Sequence, residues 1–268
     1  MHNLEAFGRH KAVLGMIHLQ PLPGTPFHRE GSFEQILNDA VASARALDEG
    51  GADGCLIQTV DRVYNTGEQS DPARIAAISV ITRAVTQVTR PEFHIGVQLM
   101  RNAVQASLAV AKVAGGSFVR AGALVGATLT THGMVEADPL SVMEYRKKID
   151  AWDVGIIAEV ESMHYTWFGG GKTVGQVAKA ARQVGADAVS LCHEDEAIAL
   201  EMIAAVRAAT PDLPIILAGH TNHDNVARLL SAADGAFVGT CLERGGWGGL
   251  IDVGKVKAYV EIVRGLQP

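Results

Sequence analysis

The feature that most narrows the folds open to this chain is a rhythm. A short apolar run without polar alternation meets a polar or glycine-bearing stop, an amphipathic stretch at helical spacing follows, and the pattern recurs along the whole length. Ala12 to His18 is the first such run, and Pro21-Leu22-Pro23-Gly24 ends it, because proline removes a backbone donor and continues neither a strand nor a helix interior. Ser32 then stands as an N-cap before Phe33 to Glu49, where Ile36, Leu37, Ala40, Ala44 and Leu47 share a helical face ahead of Gly50-Gly51. The unit returns as Ala52 to Gln58 with Pro72 to Thr89, as Phe93 to Leu99 with Ala103 to Ala114, and as Ser117 to Arg120 with Pro139 to Ile149 across a long connection. Val154 to Val160 with Thr173 to Val184, Ala186 to Leu191 with Glu194 to Ala209, Leu213 to Ala218 with Asn222 to Ala232, and Gly235 to Val238 with Asp252 to Val263 complete the series.

Strands that read apolar throughout are what a parallel sheet covered on both faces requires. Eight of them alternating with amphipathic helices predict closure into a single (β/α)8 TIM barrel, with residues 1–268 as one domain. An open doubly wound sheet is the alternative, but a GxGxxG turn is absent after the first strand. A length of 268 residues suits one barrel, and 48% apolar against 19% charged residues supplies a large core.

Composition also excludes functions. The net charge is −6, the isoelectric point is near 5.9, and no run of Lys or Arg forms a track for a phosphate backbone, so nucleic acid is not an expected partner. Cys55, Cys192 and Cys241 lie far apart, without CxxC spacing, which indicates neither a disulfide framework nor a thiolate zinc cage. Met1 to Lys11 is polar with no apolar leader core, and no apolar run is long enough to span a bilayer. The expected setting is the cytoplasm.

In such a barrel, residues that end strands and begin the following loops converge on one rim, where active sites sit. Read in order, those positions are His18, Gln58 and Asp61, Gln98 and Arg101, Arg120, Glu159 and Glu161, His193 and Glu194, His220, and Thr240 with Glu243. The loops at the opposite end, such as Glu49-Gly50-Gly51-Ala52, Ala114-Gly115-Gly116-Ser117 and Val184-Gly185-Ala186-Asp187, are turns and helix stops with little reactive chemistry.

Glu159 ends an apolar strand, where an unpaired carboxylate is costly to bury. It reads as a general acid or base, as a metal ligand, or as the partner of Arg120. His18, Glu159 and His193 are the expected catalytic residues. Gln58, Gln98, Arg120, His164 and His220 are expected to orient a substrate's hydroxyls or developing charge. His18, Glu159, His193 and His220 are also candidate ligands for a divalent metal such as Zn²⁺ or Mn²⁺, although HxH or HExxH spacing is absent.

Ala218-Gly219-His220-Thr221-Asn222 and Val238-Gly239-Thr240 place small residues after the seventh and eighth strands, where barrels recurrently hold phosphate. Gly219, Thr221, Gly239 and Thr240 are the candidate phosphate-binding residues, with Thr221 or Asn222 capping the next helix. Ordinary glycine turns with an N-cap are the alternative. Arg244 and Gly245-Gly246-Trp247-Gly248-Gly249 are placed to close over the site. Phe168-Gly169-Gly170-Gly171-Lys172-Thr173 lacks GxxxxGK[ST] spacing and reads as a mobile loop with Lys172 near the rim. Cys192 and Cys241 read as small core-lining residues rather than nucleophiles.

Val13-Leu14-Gly15-Met16-Ile17-His18-Leu19-Gln20-Pro21-Leu22-Pro23-Gly24-Thr25-Pro26 resembles the opening signature of the BtpA/SgcQ family. Further blocks resemble the same family: Gly51-Ala52-Asp53-Gly54, Gly96-Val97-Gln98-Leu99-Met100-Arg101-Asn102, Phe118-Val119-Arg120, His132-Gly133-Met134-Val135-Glu136, Tyr145-Arg146-Lys147-Lys148-Ile149 and Ala233-Asp234-Gly235-Ala236-Phe237-Val238-Gly239-Thr240. The resemblance implies a barrel grouped with ribulose-phosphate-binding folds, in a family associated with photosystem I biogenesis and with sugar-utilisation gene clusters. Three positions depart from that pattern. Val160-Glu161-Ser162-Met163-His164-Tyr165 replaces a Val-Lys-His-Ala type segment, Cys192-His193-Glu194-Asp195-Glu196 replaces a Gly/Thr-rich one, and Gln98 stands where Asn is usual. The expected function is an enzyme of carbohydrate metabolism that acts by acid/base chemistry on a small phosphorylated sugar or sugar acid. A non-catalytic assembly factor working through an apolar external patch is the alternative. Apolar positions in Ile75 to Val88 suggest a homo-oligomer.

Overall fold

The computed structural model describes residues 10–168 and 170–266. Met1 to Arg9 of the polar N-terminal stretch lie outside that range, as does Gly169 of the glycine-rich loop. The elements run β1 (Ala12–Leu19), α1 (Phe33–Glu49), β2 (Gly54–Thr59), α2 (Pro72–Val88), β3 (His94–Gln98), α3 (Val104–Ala114), β4 (Phe118–Ala121), β5 (Ala127–Thr130), β6 (Gly133–Glu136), α4 (Pro139–Lys148), β7 (Gly155–Ser162), β8 (Tyr165–Phe168), α5 (Val174–Gln183), β9 (Ala188–Cys192), α6 (Glu196–Ala209), β10 (Ile215–Ala218), α7 (Val226–Leu230), β11 (Gly235–Val238) and α8 (Val253–Arg264). The strands β1, β2, β3, β4, β7, β9, β10 and β11 pair in that order and close on β1, every pair parallel, as the eight apolar runs require.

Side chains pointing into the barrel fill it rather than leave a pore. Leu14, Met16, Leu56, Phe118, Ile157, Ile216 and Phe237 form this inner core, with the Phe118 and Phe237 rings 6.2 Å apart. Gly96 makes room for the Phe118 ring, since a Cβ there would fall 2.1 Å from it. A larger core lies between the strands and the helices.

The end opposite the rim carries one device four times. Asp53, Ser117, Asp187 and Asp234, which directly precede β2, β4, β9 and β11, donate the main-chain N–H to the carbonyl of Val13, Ile95, Ile156 and Ile215 in turn. The same four side chains accept the N–H of that same residue, at 2.7, 3.1, 2.8 and 2.7 Å. Arg264, Arg146 and Arg207 neutralise the three aspartates from the surrounding helices. The helix after each strapped strand starts on an aspartate whose carboxylate accepts main-chain N–H groups: Asp71, Asp138, Asp195 and Asp252.

The structure differs from the sequence reading in four places. The long connection after β4 is not featureless: β5 and β6 form a hairpin, and β8, from the glycine-rich segment, adds to β5 in a three-stranded antiparallel sheet. The helix expected over Asn222 to Ala232 is only Val226–Leu230, because Asn222 and Asn225 build a side-chain-bonded turn before it, and Thr221 caps nothing. Ser32 spends its hydroxyl on the Arg29 carbonyl instead of capping α1. The apolar residues of α2 turn mostly inward, and Val80 is its large apolar side chain left exposed, at 51%. Among the described residues no helix is long and apolar enough to cross a membrane.

Candidate active site

A cavity of about 700 Å³ opens where the barrel strands end. Most of the expected site residues line it: His18, Gln58, Gln98, Arg120, Glu159, His164, His220, Gly219, Thr221, Gly239 and Thr240. Strand register brings them there. His18, Gln58 and Gln98 are consecutive partners across β1, β2 and β3, so they form one row at one height of the barrel.

Glu159 and Arg120 meet at the cavity wall, Arg120 Nη2 standing 2.8 Å from Glu159 Oε1, with the glutamate buried and the arginine 10% exposed. Arg120 Nε donates to Ser190 Oγ at 3.3 Å, and the guanidinium lies over the Phe237 ring. The burial cost that drew attention to Glu159 is thus met by an ion pair anchored to two other strands. Beyond Glu159 the strand bulges: Glu159 pairs with Ser190 and Glu161 with Leu191, so Val160 is the extra residue. Strand β7 therefore continues to Ser162 and returns His164 to the cavity.

Electrostatics divide the titratable groups. Loss of hydration on the cavity wall lowers the pKa of His164, with Glu159 opposing and Arg101, Arg120 and His220 assisting. Burial raises Glu161, and Glu159 adds to the rise, whereas the Ser162 amide and His193 oppose it. Burial pushes Cys192 up to about 11, and Cys241 likewise to about 11, which removes both as thiolates near neutral pH.

Three residues from the strand-end loops lie outside the cavity lining. His193 does not line the cavity. Its Nδ1 accepts the Asp195 N–H at 3.0 Å, which turns the ring toward the start of α6. Lys172 is exposed and also outside the lining. Asp61 is directed into a buried pair with Arg74, 2.6 Å apart, which ties α2 to the loop after β2. Of the candidate metal ligands, His18, Glu159 and His220 line the cavity and His193 does not, and among the described residues no group of three or more His, Cys, Asp and Glu is placed to hold a metal ion. The acid-rich segment after β9 resolves similarly: Glu194 faces the cavity, Asp195 caps α6, and Glu196 pairs with Arg228.

Arg101, Asn222, Asn225 and Trp247 line the cavity as well. Arg101 and Trp247 were visible as rim and loop residues, whereas Asn222 carried only a capping signal and Asn225 none. Gln98 is 2% exposed, and its Oε1 has no hydrogen-bond partner. Tyr165 is also buried with an unpartnered hydroxyl, among the charges of Glu159, Glu161 and Arg120. Buried polar atoms without partners are rare, and each calls for an explanation such as a catalytic role or a bonding partner still to be supplied.

The sequence model of the BtpA family matches residues 9–265, nearly the whole barrel. The chain belongs to the BtpA family. An uncharacterized protein from Archaeoglobus fulgidus is 31% identical over 260 residues, covering 95% of this chain and 99% of that one. The photosystem I biogenesis protein BtpA of Synechocystis is 28% identical, covering 97% and 91%. Among solved structures, a chain of tryptophan synthase from M. tuberculosis superposes with a TM-score of 0.65 at 16% identity, covering 98% and 99%. N-(5'-phosphoribosyl)anthranilate isomerase from Pyrococcus furiosus superposes at 0.55 with 13% identity, covering 95% and 99%. These structural likenesses establish the fold that the family shares with such enzymes.

Proposed function

We propose that this member of the family is an enzyme that binds a small phosphorylated sugar or sugar acid in the cavity and moves a proton on it. The observation that carries this reading is the Arg120–Glu159 pair in the wall of a cavity also lined by three histidines and by Gln98 with its unpartnered acceptor. Glu159, held by Arg120, and His18 are the proton-transfer groups. Arg120 and Arg101 answer negative charge on the reacting end, and Gln58 and Gln98 orient hydroxyls. Gly219, Thr221, Gly239 and Thr240 hold the phosphate through their main chain. The Thr221 hydroxyl is already engaged by Tyr259 at 2.9 Å, and a Cβ on Gly239 would come within 3.3 Å of His18. His193 has no part in this assignment. Isomerisation, aldol cleavage and hydrolysis all use such a set, and neighbours such as phosphoribosylanthranilate isomerase fit the same substrate class.

Thermal unfolding in the presence of inorganic phosphate, pentose and hexose phosphates, phosphoglycerate and their unphosphorylated counterparts tests the reading. Phosphorylated compounds are expected to raise Tm and their counterparts are not, because a ligand at about a hundred times its Kd adds roughly 2.7 kcal/mol. A Glu159→Gln variant is expected to keep the shift and lose turnover. A panel silent for every phosphate ester overturns the proposal.

A second reading has its own support. Leu129 and Phe168 stand 50% and 60% exposed on the small sheet of β5, β6 and β8, and the Synechocystis relative is a photosystem I biogenesis protein. An assembly factor working through that surface would lose function on Leu129→Ser and Phe168→Ser while Glu159→Gln left it intact.

A further inference from the structure

After β11 the chain turns through a short 3-10 segment, Thr240–Leu242, into a compact loop closed at its neck by a bridge between Glu243 and Ile251. Arg244 N donates to Leu250 O at 2.8 Å and Gly249 N to Gly246 O at 3.1 Å. Gly245, Gly246 and Gly248 take φ of 74°, 97° and 84°, which a side chain would resist. The loop carries Trp247 to the cavity edge, its ring 5.8 Å from that of His18.

Inside the neck sits a buried carboxylate. Glu243 is 2% exposed, so each oxygen needs a partner. Oε2 accepts the Gly248 N–H at 2.8 Å, and Oε1 faces His18 Nδ1 at 3.5 Å. His18 Nδ1 is itself buried and otherwise without a hydrogen bond. The gap is a few tenths of an ångström beyond an ordinary hydrogen bond, and such contacts commonly tighten only when a ligand is bound.

We propose that Glu243 is the positioning residue of His18, accepting the proton on Nδ1 and so leaving the lone pair of the neutral ring on Nε2 to take a proton from a ligand in the cavity. A neutral imidazole carries one N–H, and the partner of one nitrogen decides which nitrogen is the base. Glu243's second oxygen is held by the Trp247 loop, so one side chain sets both the orientation of His18 and the seat of the loop above it. The inference deepens the enzymatic reading and rests on it for the source of the proton. The tautomer itself needs no substrate.

The test is the tautomer of His18 in the full chain, with ring-¹⁵N histidine, read by long-range ¹H–¹⁵N correlation at a pH well above the histidine range and assigned by a His18→Gln variant. Nδ1 is expected to carry the proton in the wild type. In Glu243→Met, which fills the space without an acceptor, the proton is expected to move to Nε2, the form that predominates in free side chains. A wild-type spectrum with the proton on Nε2 overturns the proposal, as does an Nδ1 proton that survives Glu243→Met unchanged. If that variant fails to fold, the wild-type spectrum alone decides. The thermal-shift panel tests the sugar-phosphate reading separately, whichever tautomer is found.

Discussion

Glu159 and Arg120 show how a residue's surroundings decide its chemistry. Removing either partner leaves an opposite charge in a buried wall, but unequally, because an amide in place of the carboxylate still accepts from the guanidinium. Arg120→Met is therefore expected to lower stability by about 3–5 kcal/mol, and Glu159→Gln by clearly less. Equal losses in urea unfolding would show that the pair is not what holds the wall. His164 gives a prediction in pH. Loss of hydration lowers its pKa below the ordinary 6.5, so the folded chain resists the proton that the unfolded chain accepts. Its contribution to stability is whole above 6.5 and falls as pH drops below that value toward the folded pKa. An NMR titration is expected to find its midpoint below 6.5, and a midpoint at or above that value would contradict the assignment. At this scale the sequence named most of the lining correctly, since polarity at the end of an apolar strand is a strong signal. It misplaced His193, whose nearest partner, the Asp195 amide, is a local main-chain group that strand periodicity does not see.

Among the elements, the eight barrel strands were readable because each is apolar on both faces. The sheet of β5, β6 and β8 was not, since its strands are only four residues long and half exposed, so they look like loop. The bulge at Val160, between the cavity-lining Glu159 and His164, also left no mark in the sequence. Contact between neighbouring strands depends on glycine at one close approach. A Cβ on Gly54 would stand 2.1 Å from the His94 carbonyl oxygen, which is main chain and cannot swing aside. Gly54→Ala is expected to cost about 1–3 kcal/mol by overpacking, seen as a lower urea midpoint with an unchanged m value. An unaffected midpoint would mean that β2 and β3 can separate freely at that point.

At the scale of the whole molecule, the aspartate straps lie at the end opposite the cavity, and acid acts on them there. Burial works against ionisation of Asp53, but Arg264, the Val13 amide and His10 outweigh it, and its pKa is lowered from 3.8. The contribution is present above 3.8 and is lost as pH falls through the folded value. Asp53→Asn is expected to lose about 1.5–3 kcal/mol at neutral pH and to show a shallower loss on acidification than the wild type. Identical acid limbs in the two proteins would remove Asp53 from the account.

The fourfold strap at the base has a consequence for how the barrel comes apart. Each side-chain strap joins one strand to the next around the barrel, β1 to β2, β3 to β4, β7 to β9 and β10 to β11, while main-chain bonds from His94 N to Asp53 O, Gly155 N to Ser117 O and Ala12 N to Asp234 O cross from one such pair to the next. In its side-chain straps the barrel is four two-strand modules set in a ring, each with its own clasp and its own aspartate-started outer helix. The amide protons of Val13, Ile95, Ile156 and Ile215 are then four matched latches, expected to exchange with solvent only on opening of the strap that each one closes.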